Sequence, residues 1–289
     1  MKMTTSQSLS LLPKIGLYFA LTKPRLSVVV VFSALMGALI AGVKDVQSLL
    51  WLILGGYAIA GSANAANQYQ ERHLDALMER TRHRPLPAGL LAPHEGIFVS
   101  LFLLVAGITM LSLIHLQVAA IAVGAWFIYV FLYTPLKRTG QIAVAIGAIS
   151  GALPPVIGYW AGTPTFTPTL LLLFLLQFLW QYPHFWVIAW MNRSDYSRVG
   201  FHLLPFPEHN WSHNRTAILA GVILLCAASI LSLLWFPLSI TLWIGSVGTI
   251  LLIFSFYWLM RRSTPCLRCT LLGLTGYLTL LYLGLWILL

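Results

Sequence analysis

The whole sequence of 289 residues holds seven carboxylates, and they are concentrated rather than scattered. Glu71, Asp75 and Glu79 fall in one short segment, NQYQERHLDALMERTRHRPLPAG, from Asn67 to Gly89. Asn67, Glu71 and Asp75 follow one another at intervals of four. In a helix each such step drifts by about 40°, so the three side chains share one face over ~12 Å. Oxygen ligands so spaced suit Mg²⁺, which takes one or two carboxylates, keeps waters and completes its shell with substrate phosphates. Arg80, Arg82 and Arg84 come directly after, and the guanidinium fork matches phosphate oxygens. An acidic helix face followed by an arginine cluster is what a metal-bound diphosphate requires. The plainer reading makes the same residues a solvated helix end laced with i,i+4 ion pairs.

The pattern recurs, which favours the chemical reading. A second polar cluster closes FLWQYPHFWVIAWMNRSDYSRVG, Phe178 to Gly200. Asp195 trails an apolar run there, much as Asp75 trails an earlier one. Between the two clusters lies Tyr133-Thr-Pro-Leu-Lys137, followed by Arg138. A lone helix-end lysine ordinarily snorkels to the membrane surface, but beside two acidic clusters Lys137 becomes a candidate diphosphate ligand. His184 lies inside the second apolar run, between Pro183 and Phe185. An ionisable group at such depth is a functional candidate, with a cross-helix hydrogen bond beside a proline as its alternative.

The elements that must position these groups are apolar spans. Hydrophobic residues make up 59% of the chain, charged ones 8%, and mean hydropathy is +0.85. Soluble domains carry about 25% charged residues, so this chain cannot cover a soluble surface. Runs of ~20 apolar residues fall at 26–43, 48–67, 95–114, 117–136, 141–162, 168–190, 216–236, 239–260 and 270–289. The chemistry-bearing residues cluster at the ends of spans two, four and six. The first span follows a polar stretch and precedes eight others, so it reads as an anchor and not as a cleaved leader.

Charge fixes an orientation. Of 17 basic residues, Lys44 alone falls on one side of this nine-span plan. The other side, with the N-terminus, is cytoplasmic by the positive-inside rule, and the C-terminus is external. The net charge of +10 then reflects topology and anionic lipid, with no nucleic-acid module in view. Cys266 and Cys269 form a lone CxxC on the reducing side, where a structural disulfide is not expected.

These residues resemble the UbiA superfamily of intramembrane prenyltransferases. Its NxxxDxxxD motif is matched by Asn67, Glu71 and Asp75, and its YxxxK element by Tyr133 and Lys137. The strings DALMERTRHRPLPAG at 75–89, YTPLKR at 133–138, GALPPVIGYWA at 151–161, WQYPHFWVIAW at 180–190 and DYSRVG at 195–200 look most like the heme-farnesylating branch. Two positions depart from the superfamily pattern. Glu71 stands where it has Asp, and Met191 occupies the first acidic position of the second DxxxD motif, so only Asp195 carries over.

The resemblance implies an all-α bundle around a central chamber. It also implies farnesyl diphosphate and heme B as substrates and Mg²⁺ held by Asn67, Glu71, Asp75 and Asp195. Arg80, Arg84, Tyr133, Lys137 and Arg138 are expected at the diphosphate, and His184 and Gln181 at the heme. After a cytoplasmic segment, 1–25, one transmembrane domain is expected over 26–289. Its pseudo-repeat halves lie at about 26–138 and 139–262, with a ninth helix at 270–289. Pro154, Pro155 and Pro183 are expected to kink helices around the chamber. Without an evident mitochondrial presequence, the expected location is a bacterial inner membrane, where a downstream heme-modifying enzyme or oxidase assembly factor is a potential partner. Three alternatives stay open. A relative acting on an aromatic or quinone-precursor acceptor would carry an aspartate pair after span six. An inverted-repeat transporter would place charges at mid-membrane, and a heme chaperone would not need the acids and Lys137 together.

Overall fold

A computed structural model describes residues 11–231, 235–261 and 264–289, and every described element is helical. Lys2 and Arg262, both used to read the orientation, lie outside the described residues. Helix α1 spans Leu11–Leu21 and α2 Pro24–Ile40, joined at a 48° bend. Lys23 makes the bend in a left-handed conformation, φ 47°, with Pro24 starting the next helix where its missing N–H costs nothing. Helix α3, Val46–Asp75, has 30 residues. At ~1.5 Å per residue it is longer than the ~30 Å hydrocarbon core needs, so its last turns protrude from one side. At its other end Asp45 caps it, accepting hydrogen bonds from Gln47 N at 3.4 Å and Ser48 N at 2.8 Å. The Ser48 side chain and amide hold the Asp45 carboxyl below the usual carboxylate range.

Next come α4, Pro93–Ser112, and α5, Leu116–Phe127. A π-helical segment, Ile128–Tyr133, and the short α6, Thr134–Leu136, prolong α5 into one continuous rod. Helices α7, Gln141–Gly162, and α8, Pro168–Met191, run through Pro154, Pro155 and Pro183 without a break in the helix. A short α9, Arg193–Val199, turns off the end of α8, and α10, Trp211–Leu231, α11, Leu238–Leu259, and α12, Thr264–Leu288, complete the bundle. Seven described helices are long and apolar enough to cross a membrane, and eight if α1 and α2 count as one bent span. Helix α10, where span 216–236 was expected, is not among those seven.

Between helices in lipid there is little hydrophobic drive, so close packing and buried hydrogen bonds hold the bundle. A Cβ on Gly158 would sit 1.7 Å from the Ala34 carbonyl oxygen, and one on Gly37 2.1 Å from that of Pro155. Helices α2 and α7 therefore touch backbone to backbone. A polar tie anchors the last helix. Trp180 Nε1 donates to Leu274 O at 2.6 Å, Tyr282 Oη donates to Gln177 Oε1, and Gln177 Nε2 donates to Gly151 O at 3.2 Å. Outward faces carry Phe98, Phe102 and Val105 on α4 and Ile250, Ile253 and Phe256 on α11, all exposed. Apolar surface in that amount belongs in lipid.

Candidate active site

The protruding end of α3 gathers the site. Asn67, Glu71 and Asp75 are all buried along its inner face. Lys137, at the end of the α5–α6 rod, lays its ammonium against Glu71, 2.8 Å from Oε1 and 3.0 Å from Oε2. Arg84 Nη1 reaches Asp75 Oδ2 at 2.7 Å. Lys23 Nζ donates to Asn67 Oδ1 at 3.0 Å, and Asn67 Nδ2 donates to Thr134 Oγ1 at 3.3 Å. Thr81 Oγ1 donates to the Asp75 carbonyl at 2.8 Å and satisfies one of the orphan groups at the end of α3. Lys23, Arg84 and Lys137 thus surround two carboxylates, each already paired with a cation.

Tyr133 has its ring against Gly147 of α7, where a Cβ would lie 2.7 Å from Tyr133 Cδ2. Lys137 Nζ stands 4.9 Å from the Tyr133 ring centre and 5.6 Å from that of Phe201. The aromatic surface continues into the membrane. Phe185 lies 5.9 Å from Tyr133, His184 6.3 Å from Phe185, and His184 stacks on Trp180 at 4.2 Å. The Nδ1 of His184 is buried without a hydrogen-bond partner. Gln181, one turn earlier, packs its amide beside Gly151 of α7, where a Cβ would lie 2.4 Å from Nε2.

Asp195 is placed differently from the α3 acids. Its Oδ1 accepts from Glu79 N at 3.1 Å and its Oδ2 from Arg80 N at 3.2 Å, with Arg198 Nη1 3.6 Å from Oδ1. Arg80 and Arg138 are exposed, Arg138 lying beside Gly200, so of the arginines expected at the diphosphate only Arg84 reaches the acids. Lys23 is the residue that sequence reasoning left out of the site. The run Lys23-Pro24-Arg25 was visible ahead of the first span, but it served there as an orientation signal.

The donor set fits Mg²⁺: two carboxylates and one amide oxygen on a single helix face, all hard oxygen ligands. Among the described residues no three His, Cys, Asp or Glu side chains converge into an all-protein cage, which leaves substrate and water to complete such a shell.

The model of the UbiA prenyltransferase family matches residues 30–268. The chain belongs to that family. A relative from Cytophaga hutchinsonii, a protoheme IX farnesyltransferase, is 42% identical over 205 residues, covering 70% of this chain and 72% of the relative. Among solved structures, one described as digeranylgeranylglyceryl phosphate synthase in membranes matches with TM-score 0.75 at 18% identity, over 96% of this chain and 98% of that one. A UbiA homolog from Archaeoglobus fulgidus, solved with GPP and Mg²⁺, matches with TM-score 0.67 at 12% identity, over 93% and 99%. Membership and apolar helices together make this UbiA-family chain an integral membrane prenyltransferase.

Proposed function

We propose that this prenyltransferase moves the farnesyl group of farnesyl diphosphate onto a vinyl group of heme B, giving heme O. The observation that carries the reading is one continuous path. It runs from the Glu71–Lys137 and Asp75–Arg84 pairs along Tyr133 and Phe185 to the unpartnered His184. One end suits a diphosphate, the middle an isoprenoid chain, and the far end a metalloporphyrin. The farnesyltransferase relative and the neighbour bound to GPP and Mg²⁺ support this assignment.

In this reading Asn67, Glu71 and Asp75 hold Mg²⁺, while Lys23, Arg84, Lys137 and the Tyr133 hydroxyl take the diphosphate, with Arg80 and Arg138 at its solvent side. Bound there, Mg²⁺ acts as a Lewis acid that neutralises charge on the diphosphate oxygens. Lys137 and Arg84 stabilise the charge that develops as the C1–O bond breaks and its electron pair leaves with the diphosphate. The vinyl π electrons of heme B form the new carbon–carbon bond to the allylic cation. Water then adds to the resulting porphyrin-conjugated cation, a proton is lost, and a hydroxyethylfarnesyl group remains. The apolar wall of α7 and α8 keeps bulk water from the cation until the bond has formed. His184 ligates or orients the heme iron and Gln181 steadies the ring.

The finer architecture belongs to the same proposal. Nine spans, counting α1–α2 as the first and including α10, put the site at the cytoplasmic face of a bacterial inner membrane. Two four-helix halves flank it, and a downstream heme-modifying enzyme takes the product. Purified protein given heme B, farnesyl diphosphate and Mg²⁺ should yield a heme adduct heavier by farnesyl plus a hydroxyl group, read by mass spectrometry. Glu71→Ala and Asp75→Ala should each lower the rate by about a hundredfold or more. Turnover of a quinone precursor without any heme adduct would overturn the acceptor. Full activity in both alanine variants would overturn the metal site.

A further inference from the structure

Asp195 pairs with backbone amides, whereas Glu71 and Asp75 pair with the Lys137 and Arg84 side chains. It lies in the first turn of α9, where an acidic side chain ordinarily serves its own helix. Here it crosses to Glu79 N and Arg80 N, on the segment that follows α3. Those two amides open a turn that closes when Thr81 N and Arg82 N bond to Met78 O at 3.2 and 3.0 Å. A carboxylate taking two consecutive amides at the start of a turn acts as a cap supplied from another part of the chain.

Apolar packing doubles the joint. Met78 is 2% exposed and packs with Val199 and Phe201, beside Leu74 and Tyr196. Phe201 also lies near the Lys137 ammonium, and His202 N donates to Lys137 O at 3.1 Å. On the other side of the joint, Arg84 follows Arg80 by one turn and grips Asp75. One contact region therefore sets the positions of the two cations that pair with Glu71 and Asp75. Withdrawing Asp195 to serve a metal would take their shared acceptor from two amides in a partly buried joint and undo a cross-segment cap.

We propose that Asp195 is a positioning residue, a clasp that joins the α3–α4 segment to α9 and so fixes Arg84 and Lys137, rather than a metal ligand. The idea rests on the diphosphate reading of the site given above. Its consequence is a division of labour between the two polar clusters: the α3 face holds metal, and the α9 cluster holds the frame that presents cations to the diphosphate.

The test uses the full chain in detergent with Mg²⁺ and inorganic diphosphate as probes. Asp195→Ala should weaken diphosphate binding by about tenfold, the loss expected when a charge-assisted hydrogen-bond pair goes, and leave the half-saturating Mg²⁺ concentration within about twofold. Amide hydrogen exchange over residues 76–84 should quicken in the ligand-free protein, since the clasp exists without ligand. Met78→Ala weakens the apolar half while leaving the Asp195 carboxylate intact, and it should reproduce both changes. Asp75→Ala, by contrast, should shift the Mg²⁺ requirement by tenfold or more. The proposal is overturned if Asp195→Ala shifts Mg²⁺ as Asp75→Ala does, if exchange over 76–84 is unchanged, or if Met78→Ala behaves as wild type. Exchange and probe binding are read without a prenyl acceptor, so failure to farnesylate heme would overturn the acceptor assignment and leave this result standing.

Discussion

Lys137 and Glu71 are 10% and 7% exposed at their side chains, so their charges compensate each other largely away from water. Arg84 and Asp75 repeat the arrangement. In the function proposed above, Glu71 and Asp75 serve a metal and Lys137 and Arg84 a diphosphate, so each ion pair must be released for its members to act. Metal and diphosphate arriving together allow a straight exchange of partners, whereas either alone must break an ion pair without replacing it. Lys137→Met removes one side of that balance. Stranding a buried carboxylate costs on the order of 3–5 kcal/mol, so the ligand-free variant should melt well below wild type. The freed Glu71 should also bind Mg²⁺ in the absence of diphosphate about tenfold more tightly, while turnover collapses. Calorimetry with Mg²⁺ alone checks this, and an unchanged affinity would show that the pair does not restrain the metal site. Much of this site could be read from spacing, because Asn67, Glu71 and Asp75 share a helix face by arithmetic. Lys23 could not. Its place beside Asn67 depends on a left-handed residue between two helices, and no local pattern specifies where such a break aims a side chain.

Elements set the distances between these groups, and α2 and α7 meet backbone to backbone. The atoms nearest a Cβ on Gly158 belong to the Ala34 and Ala38 backbones, which cannot swing aside as a side chain can. Gly158→Ala should therefore cost at least the ~1–3 kcal/mol typical of overpacking and lower the melting temperature. It should also weaken diphosphate binding, because α2 carries Lys23 at its start. Gly276 of α12 has nothing within 4 Å of its missing Cβ. The same change there should be neutral or stabilise by about 0.5–1 kcal/mol through helix propensity. Equal melting temperatures for the two variants would refute the tight crossing. Hydropathy placed seven spans, eight with the bent α1–α2 pair, and 141–162 coincides with Gln141–Gly162, while the span expected at 216–236 is not among them. It missed the continuation of α3 to Asp75, since the last turns are polar, and the π-helical turn at 128–133, whose Tyr133 packs against Gly147.

At the scale of the whole molecule, the site and the basic residues coincide. Glu71, Asp75, Lys137 and Asp195 lie at helix ends or on adjoining segments, and the basic residues around them occupy the same side of the nine-span plan. On the opposite side stand Lys44 and Asp45, at the start of α3. Basic residues near span ends resist translocation, so the proposed orientation keeps the side holding nearly all of them in the cytoplasm. Reversing the molecule would move all those charges across the bilayer, against the positive-inside bias. It would also present the proposed diphosphate site to a compartment without a supply of soluble isoprenoid diphosphates. Single cysteines at Asp45→Cys and Arg82→Cys, in a background lacking Cys226, Cys266 and Cys269, mark the two faces. An impermeant maleimide should label position 45 in intact cells and position 82 only after the membrane is opened. The opposite pattern would invert the orientation while leaving the site's internal geometry untouched. Labelling of both positions in intact cells would mean that the segment carrying Arg82 is reachable from outside, and the nine-span count would then have to give way.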